Sequence, residues 1–540
     1  MVKPTQPFDP FAIARVGAET AMGLAARPGD LLKVQRNAVR QWGEYWSTVL
    51  TPGEKPRDRR FASPEWQDDP YFRSIRDAYL LASEQLRDMF GQAAAGDQSS
   101  AAMARFLLDQ YLNAVAPTNF AATNPTVIAR VKETGGANLV QGFMNLIEDV
   151  TSGKGIVRRR TDPSVFVKGE TIAATPGEVV FENELFQLIQ YTPTTPKVAA
   201  EPLLYVPPLV NRYYMIDLQP RSSLVKWLVD EGRTVFVVSW VNPSESLRDK
   251  SVEDYVIDGI IVAIETVARR TRQAPDLFAF CLGGTLVVIA LAWLAARGRA
   301  GEAHSATLIG SMVDFADMGD WAAFVHEGHL DALDKHLEGP GFIDSAELQR
   351  LFAAMRANDL IWSAVIQHYL LDQPAPASDL LYWFEDGARI PAAFLKSFNR
   401  ELLLGNKLRE PAGFAVRGEP TNLAAITTPI LSIALKDDHV SAWEAVYDGA
   451  RLLGADFVLG GSGHNAGVIN PPAANKHGYW TNSTQPADAP AWLSSATRHD
   501  GSWWPLWKGW LESHGSRKRV GARTIDDSIE PAPGRYMKAP

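Results

Sequence analysis

An α/β fold with a helical N-terminal domain is predicted by three features of this 540-residue sequence. Between about 165 and 315, short apolar runs alternate with helical stretches, as a parallel sheet covered by helices requires. One of those runs, Leu277-Phe-Ala-Phe280, breaks at Cys281-Leu282-Gly283-Gly284 and continues as an apolar helix pattern. The alternation then stops from 316 to 425 and resumes in a single apolar run, Pro429-Ile-Leu-Ser-Ile-Ala-Leu435.

Taken along the chain, residues 1–165 show the 3.6-residue spacing of helices, in Ser74-Ile-Arg-Asp-Ala-Tyr-Leu-Leu and in Ala101-Ala-Met-Ala-Arg-Phe-Leu-Leu. Strands follow at Leu203–Val206, Thr234–Ser239, Leu277–Phe280 and Ala306–Gly310, each short, apolar and rich in β-branched or aromatic residues. The aromatic-rich, mainly helical segment 316–425 interrupts the strands after the sharp turn, so a cap over the site is expected. Leu277–Ala296 is a run of 20 residues without a charge, long enough to cross a bilayer. Gly283-Gly284 divides it where a strand should end and a helix begin, so two core elements are expected and no transmembrane segment.

Composition narrows the function. Hydrophobic residues make up 46% of the chain and Trp numbers 16, enough for a large core and two or three domains. A net charge of -9 argues against a nucleic-acid partner. The opening Met1-Val-Lys-Pro-Thr-Gln-Pro-Phe-Asp-Pro has two early prolines and an acid, unlike a secretory signal, so a cytoplasmic protein is expected. The single cysteine excludes an intrachain disulfide and a cysteine-rich metal site. The spacing in His326-Glu-Gly-His329 does not match the helical zinc pattern, and no metal is expected.

That one cysteine sits where a nucleophile would. A nucleophile elbow holds its reactive residue on a strained strand-to-helix turn, with small residues two before and two after; Ala279 and Gly283 meet that demand around Cys281. A thiol needs a base, and the base needs an orienting group. Strand 429–435 ends in Lys436-Asp437-Asp438-His439, which places Asp438 at a carboxyl end, and Phe457-Val-Leu-Gly-Gly-Ser-Gly463 leads to His464 in a glycine-rich loop. The order Cys281, Asp438, His464 is the nucleophile, acid, histidine order of α/β-hydrolases. The expectation is an α/β-hydrolase fold over 166–540, with a mainly helical cap inserted at 316–425 and a helical N-terminal domain at 1–165. His439 reads either as a substrate contact or as a hydrogen-bonded loop residue.

At these residues the chain resembles the class I polyhydroxyalkanoate synthases, cysteine acyltransferases that polymerise 3-hydroxyacyl-CoA into storage polyester. Besides the elbow, the likeness runs through Trp66-Gln-Asp-Asp-Pro-Tyr-Phe, Pro117-Thr-Asn-Phe, Pro207-Pro-Leu-Val-Asn-Arg-Tyr-Tyr-Met-Ile-Asp-Leu-Gln-Pro220, Val238-Ser-Trp-Val-Asn-Pro243 and Asn358-Asp-Leu-Ile-Trp362. It continues through Asp438-His439 with Trp443, Gly463-His-Asn-Ala-Gly-Val-Ile-Asn-Pro-Pro472, Gly501-Ser-Trp-Trp-Pro505 and Pro531-Ala-Pro-Gly-Arg-Tyr536. One departure is Ala279, where the family has glycine; an added methyl there implies altered packing at most, with a modest effect on rate.

The resemblance implies Cys281 as nucleophile, Asp438 as catalytic acid, His464 as general base and His439 as an auxiliary residue. It implies (R)-3-hydroxyacyl-CoA as substrate, with 3-hydroxybutyryl-CoA expected first, a growing polyester chain and its granule surface as partners, a mobile cap, and a homodimer formed through it. No cofactor is expected, since CoA is only the leaving group. A thiolate suits this chemistry, because exchange of one thioester for another keeps the acyl group activated. Asp438 would either orient His464 or help activate the incoming hydroxyl. Oxyanion donors are expected from the N–H of Leu282 and from the loop Pro207–Asn211, at Val210 and Asn211.

Three readings stay open in the sequence. Trp362, Tyr382, Trp383, Phe384, Phe394 and Phe398 either line an apolar access path or fill the cap core. The N-terminal helices either brace the catalytic domain or meet the granule, and the tail tryptophans Trp503, Trp504, Trp507 and Trp510 either pack in the core or face polymer. Two rival functions share the fold: a thioesterase or polyester depolymerase, and a non-catalytic granule-coating protein.

Overall fold

The computed structural model describes residues 28–48, 58–93, 98–152 and 160–539, so the Met1–Pro10 opening lies outside it. The chain divides into two compact units. The first comprises the described residues up to Asp162 together with Ala322–Phe324 and Arg350–Ala377; the second comprises Pro163–Trp321, Val325–Gln349 and Ser378–Pro540.

Helices dominate the first unit: α1 (Pro28–Thr48), α2 (Pro70–Ala93), α3 (Gln98–Ala114), α4 (Pro125–Thr134) and α5 (Ala137–Thr151). Local chemistry fixes their ends. Asn124 caps α4 by accepting from the N–H groups of Thr126 at 3.0 Å and Val127 at 3.4 Å, Pro125 opens the helix, and Gly135 closes it at φ +61°. Trp66 is buried edge-on against Phe61, and the Arg76 guanidinium donates to its carbonyl at 2.7 Å, so this motif is core.

Helix α5 is amphipathic in an unusual sense. Its inward face is polar or small: the Asn138 amide donates to the Leu370 carbonyl at 2.6 Å, Asp149 accepts from the Tyr369 hydroxyl at 2.6 Å, and a Cβ on Gly142 would lie 1.9 Å from the Tyr369 carbonyl oxygen. Its outward face carries Val140, Phe143, Met144, Ile147 and Val150, all exposed. These bonds assign residues 350–377 to the first unit, so the segment 316–425 that reads as one insertion is shared between two packing units.

An eleven-stranded sheet organises the second unit. Its strands are β1 (Gly177–Glu182), β2 (Phe186–Tyr191), β3 (Leu203–Val206), β4 (Val235–Trp240), β5 (Asp276–Phe280), β6 (Ser305–Ile309), β7 (Ile430–Leu435), β8 (Asp456–Gly460), β9 (Tyr479–Thr481), β10 (Thr497–His499) and β11 (Glu530–Pro531). In space they run β10-β9-β8-β7-β6-β5-β3-β4-β2-β1-β11. Strands β4, β3, β5, β6, β7 and β8 pair in parallel, whereas β1, β2, β9, β10 and β11 pair antiparallel. The order β1-β2-β4-β3-β5-β6-β7-β8 is that of the α/β-hydrolase fold. Every residue of β3, β4, β5, β6 and β7 is buried, as strands covered on both faces must be.

Helix α6 (Leu282–Ala296) follows β5 directly and is buried from Gly283 to Leu294. The uncharged run is thus the last four residues of strand β5, one turn residue and a core helix. Among the described residues no helix is long and apolar enough to cross a membrane. The tail tryptophans resolve toward packing. Trp503, Trp504 and Trp507 are fully buried, and their indoles donate to the Gly467 carbonyl at 2.9 Å, the Val468 carbonyl at 3.0 Å and the Thr307 hydroxyl at 2.8 Å. The final motif ties down the opposite sheet edge, where the Tyr536 hydroxyl donates to the Asn183 carbonyl at 2.9 Å.

Candidate active site

Parallel strands end on one side of the sheet, and the side chains singled out in the sequence converge there. Cys281 occupies the turn between β5 and α6 at φ 52°, ψ -127°, a region that L residues rarely adopt. The strain is held by backbone bonds: the Cys281 N–H donates to the Ile309 carbonyl at 2.8 Å, and its own carbonyl accepts from Gly284 at 2.9 Å. Space is just as constrained. A Cβ on Gly283 would lie 2.4 Å from the Val206 carbonyl oxygen, and one on Gly284 would lie 2.0 Å from the Ser311 hydroxyl oxygen. Ala279, by contrast, sits fully buried in β5 in regular register with Val206 and Leu308, so the extra methyl is accommodated.

His464 lies in the loop after β8 and is buried. Its Nδ1 is 2.6 Å from Asp438 Oδ2. The Asp438 side chain is wholly buried, and its other oxygen accepts from the N–H groups of Val440 at 2.8 Å and Ser441 at 2.9 Å. Both carboxylate oxygens are therefore committed, which fixes the plane of the acid. With Nδ1 engaged, Nε2 is the ring nitrogen left for Cys281, whose sulfur lies near enough for its charge to act on the imidazole. Burial pulls the His464 pKa down, but the charges of Asp438 and Cys281 and the hydrogen bonds to both outweigh it, and the value is pushed up to about 10. Cys281 also acts on the buried Tyr205 phenol, which burial first and the sulfur second raise above the ordinary value.

Two further residues shape the imidazole seat without having stood out in the sequence. The Phe280 ring lies against His464 with centroids 4.6 Å apart. Gly310 closes the other approach at φ +54°, where a Cβ would come 3.3 Å from Asp438 Oδ2 and 3.5 Å from His464 Cε1. Phe280 reads as one more apolar strand residue, and Gly310 as the end of a strand; nothing in their spacing points to the histidine. His439 is half-buried nearby, its ring centroid 6.5 Å from that of His464.

Leu282 opens α6, so its N–H has no acceptor within the helix and is available as a donor. The loop after β3 begins with Pro207 and Pro208, which lack N–H groups, leaving Leu209, Val210 and Asn211 as its donors. The Val210 carbonyl accepts from Ala388, and the Asn211 side chain reaches the carbonyls of Trp383 at 3.5 Å and Phe384 at 3.4 Å.

The aromatic set of the insertion separates. Trp383 and Phe394 are buried; the first donates its indole N–H to the Arg212 carbonyl at 2.7 Å, and the second stacks on Phe398 at 5.9 Å. Tyr382 meets Phe166 at 4.9 Å, and Phe384 is half-buried against the same core. Trp362 belongs to the first unit, where it lines a polar cavity of about 490 Å³ with Arg59, Asn119 and Asn358. Among the described residues no cluster of three or more His, Cys, Asp or Glu side chains could hold a metal ion, and His326 caps the helix Glu327–Leu337.

Comparison with known proteins places the chain in a family. Residues 57–228 match the family described as "Poly-beta-hydroxybutyrate polymerase (PhaC) N-terminus". The poly(3-hydroxyalkanoate) polymerase subunit PhaC of Cupriavidus necator is 39% identical over 97% of this chain and 91% of its own. The poly(3-hydroxyalkanoate) polymerase of Methylorubrum extorquens is 38% identical over 95% of this chain and 87% of its own. A solved thermophilic esterase from Thermogutta terrifontis aligns with 63% of this chain and 98% of its own at 13% identity, with a TM-score of 0.33. With near-complete coverage by the polymerases, the chain belongs to the poly(3-hydroxyalkanoate) polymerase family.

Proposed function

We propose that this polymerase links (R)-3-hydroxyacyl-CoA units, 3-hydroxybutyryl-CoA first among them, into polyester with release of CoA, as a class I enzyme working through a Cys281 acyl-thioester. The observation that carries the reading is the strained Cys281 elbow beside an imidazole on which its charge acts and whose Nδ1 is held by a buried carboxylate.

In this scheme the Cys281 proton passes to His464 Nε2, and the thiolate attacks the thioester carbonyl. The oxyanion so formed is met by the Leu282 N–H and by an N–H of Val210 or Asn211. Collapse expels CoA, whose sulfur takes the proton from the imidazolium. The 3-hydroxyl of another unit then gives its proton to His464 and attacks an enzyme-bound acyl carbon. An ester bond forms, the C–S bond breaks, and the sulfur leaves as thiol. No cofactor is needed. The two N–H bonds to Asp438 support orientation of His464 as its role, since they leave no carboxylate oxygen uncommitted for a hydroxyl. The proximity of His439 to His464 supports an auxiliary role on the same side.

The exposed apolar face of α5 supports contact with an uncharged polymer surface, and granule association in the cytoplasm belongs to the same proposal. A homodimer is proposed on the family resemblance. Incubating purified protein with 3-hydroxybutyryl-CoA, and following thiol release and insoluble polyester for wild type and Cys281→Ser, tests the central reading. Release of CoA with polymer in wild type and neither in the variant is expected. Free hydroxyacid without polymer would instead establish a hydrolase, and unchanged cellular polymer with Cys281→Ala a granule-coating protein.

A further inference from the structure

Loop Pro207–Arg212 is held less by its own sheet than by one stretch of the insertion, Trp383–Arg389. The Ala388 N–H donates to the Val210 carbonyl at 2.9 Å, and Asn211 pairs antiparallel with Gly387. The Trp383 indole donates to the Arg212 carbonyl at 2.7 Å, while the Asn211 amide spans the carbonyls of Trp383 and Phe384. Beyond the loop, the Tyr214 hydroxyl donates to Asp386 at 2.8 Å, and Lys168 pairs with the same carboxylate at 2.5 Å. The stretch is itself braced, since the Gln349 amide donates to the Glu385 carbonyl at 2.6 Å and the Asn242 side chain accepts from the Arg389 N–H at 2.9 Å.

The geometry has a direct consequence for the donors. In a trans peptide the carbonyl and the N–H point in opposite directions, so fixing the Val210 carbonyl toward Ala388 fixes the Asn211 N–H away from it. The Arg212 carbonyl, held by Trp383, likewise fixes the Arg212–Tyr213 peptide plane at the end of the loop. We infer that Trp383 and the Asn211 side chain are positioning residues for the oxyanion: through them the insertion stretch 383–389 holds the loop and with it the direction of the loop N–H groups. This rests on the acyl-transfer reading above.

Two reactions of the same sulfur separate this role from general support. Alkylation by iodoacetamide forms the S–C bond as iodide leaves and passes through no oxyanion. Acylation by 3-hydroxybutyryl-CoA forms a tetrahedral oxyanion before CoA leaves. Trp383→Phe keeps the ring and removes the indole N–H; Asn211→Ala removes the amide. Both rates are measured on protein shown folded by circular dichroism, with Asn211→Ala carrying the comparison if Trp383→Phe does not fold. Acylation is expected to slow about tenfold or more, short of the roughly 10²–10³ for losing a donor outright, with kcat falling, KM little changed and alkylation at the wild-type rate. Acylation at the wild-type rate overturns the inference. Equal loss of both reactions also overturns it, because the stretch would then be supporting the cysteine and histidine. A wild-type protein that is alkylated but never acylated defeats the acyl-transfer reading itself and the inference with it.

Discussion

At the scale of single residues, the site depends on atoms that are missing as much as on those present. Gly283 faces a backbone carbonyl that cannot move without breaking the β3–β5 pairing, so Gly283→Ala is expected to cost about 1–3 kcal/mol. A urea midpoint equal to that of wild type would contradict this. Ala279→Gly, the family's residue, is expected to leave activity within a small factor. His464 gives a pH dependence with a definite sign. Its folded pKa lies above the ordinary 6.5, so the charged imidazole contributes fully to stability below that value and loses its contribution as pH rises through about 10. The stability gap between wild type and His464→Gln should therefore narrow over that range, and a widening gap in pH-resolved urea titrations would refute the pairing. Asp438→Asn, which keeps the shape but spoils the hydrogen bond to Nδ1, is expected to lower kcat by roughly three to four orders of magnitude. Cys281, Asp438 and His464 were legible because each stands at a strand end with a recognisable turn. Phe280 and Gly310 were not, because their contact with His464 exists only once β5, β6 and the loop after β8 lie side by side.

Among the secondary elements, the alternation of apolar runs announced the parallel strands, and the structure adds what alternation cannot carry. Strands β1 and β2 lie before the first apolar run that stands out, Leu203–Val206, and pair antiparallel, and β11 comes from residues 530–531, so the sheet edge depends on contacts of more than 300 residues' separation. The tryptophan-rich tail illustrates the limit of composition: a Trp cluster fits an apolar surface or a core equally well, and the three indole hydrogen bonds decide for the core. Helix α4 offers a local test. Asn124→Ala removes its N-cap, and also the amide bond to the Thr118 carbonyl at 2.6 Å, for an expected loss of about 1 kcal/mol or somewhat more without change in the chemistry at Cys281. Stability unchanged in a urea titration would show that the cap is redundant.

Considered as a whole, the chain assembles its chemistry from long separations: the sulfur, the acid and the imidazole lie at 281, 438 and 464, and the loop offered as oxyanion partner lies near 210. Chain order made the triad visible. The course of the insertion was not visible in the same way, since a stretch without strand alternation reads as one body, while packing sends 350–377 to the helical unit and leaves 383–389 on the loop after β3. In the proposed reaction these parts meet in a covalent intermediate on Cys281. The most direct measurement is mass spectrometry of protein quenched in acid after mixing with 3-hydroxybutyryl-CoA, with peptide mapping of the adduct. A hydroxyacyl group on Cys281, present in wild type and absent in Cys281→Ala, is the expected result; polymer formed in full by Cys281→Ala, or an adduct carried on another residue, would contradict the account.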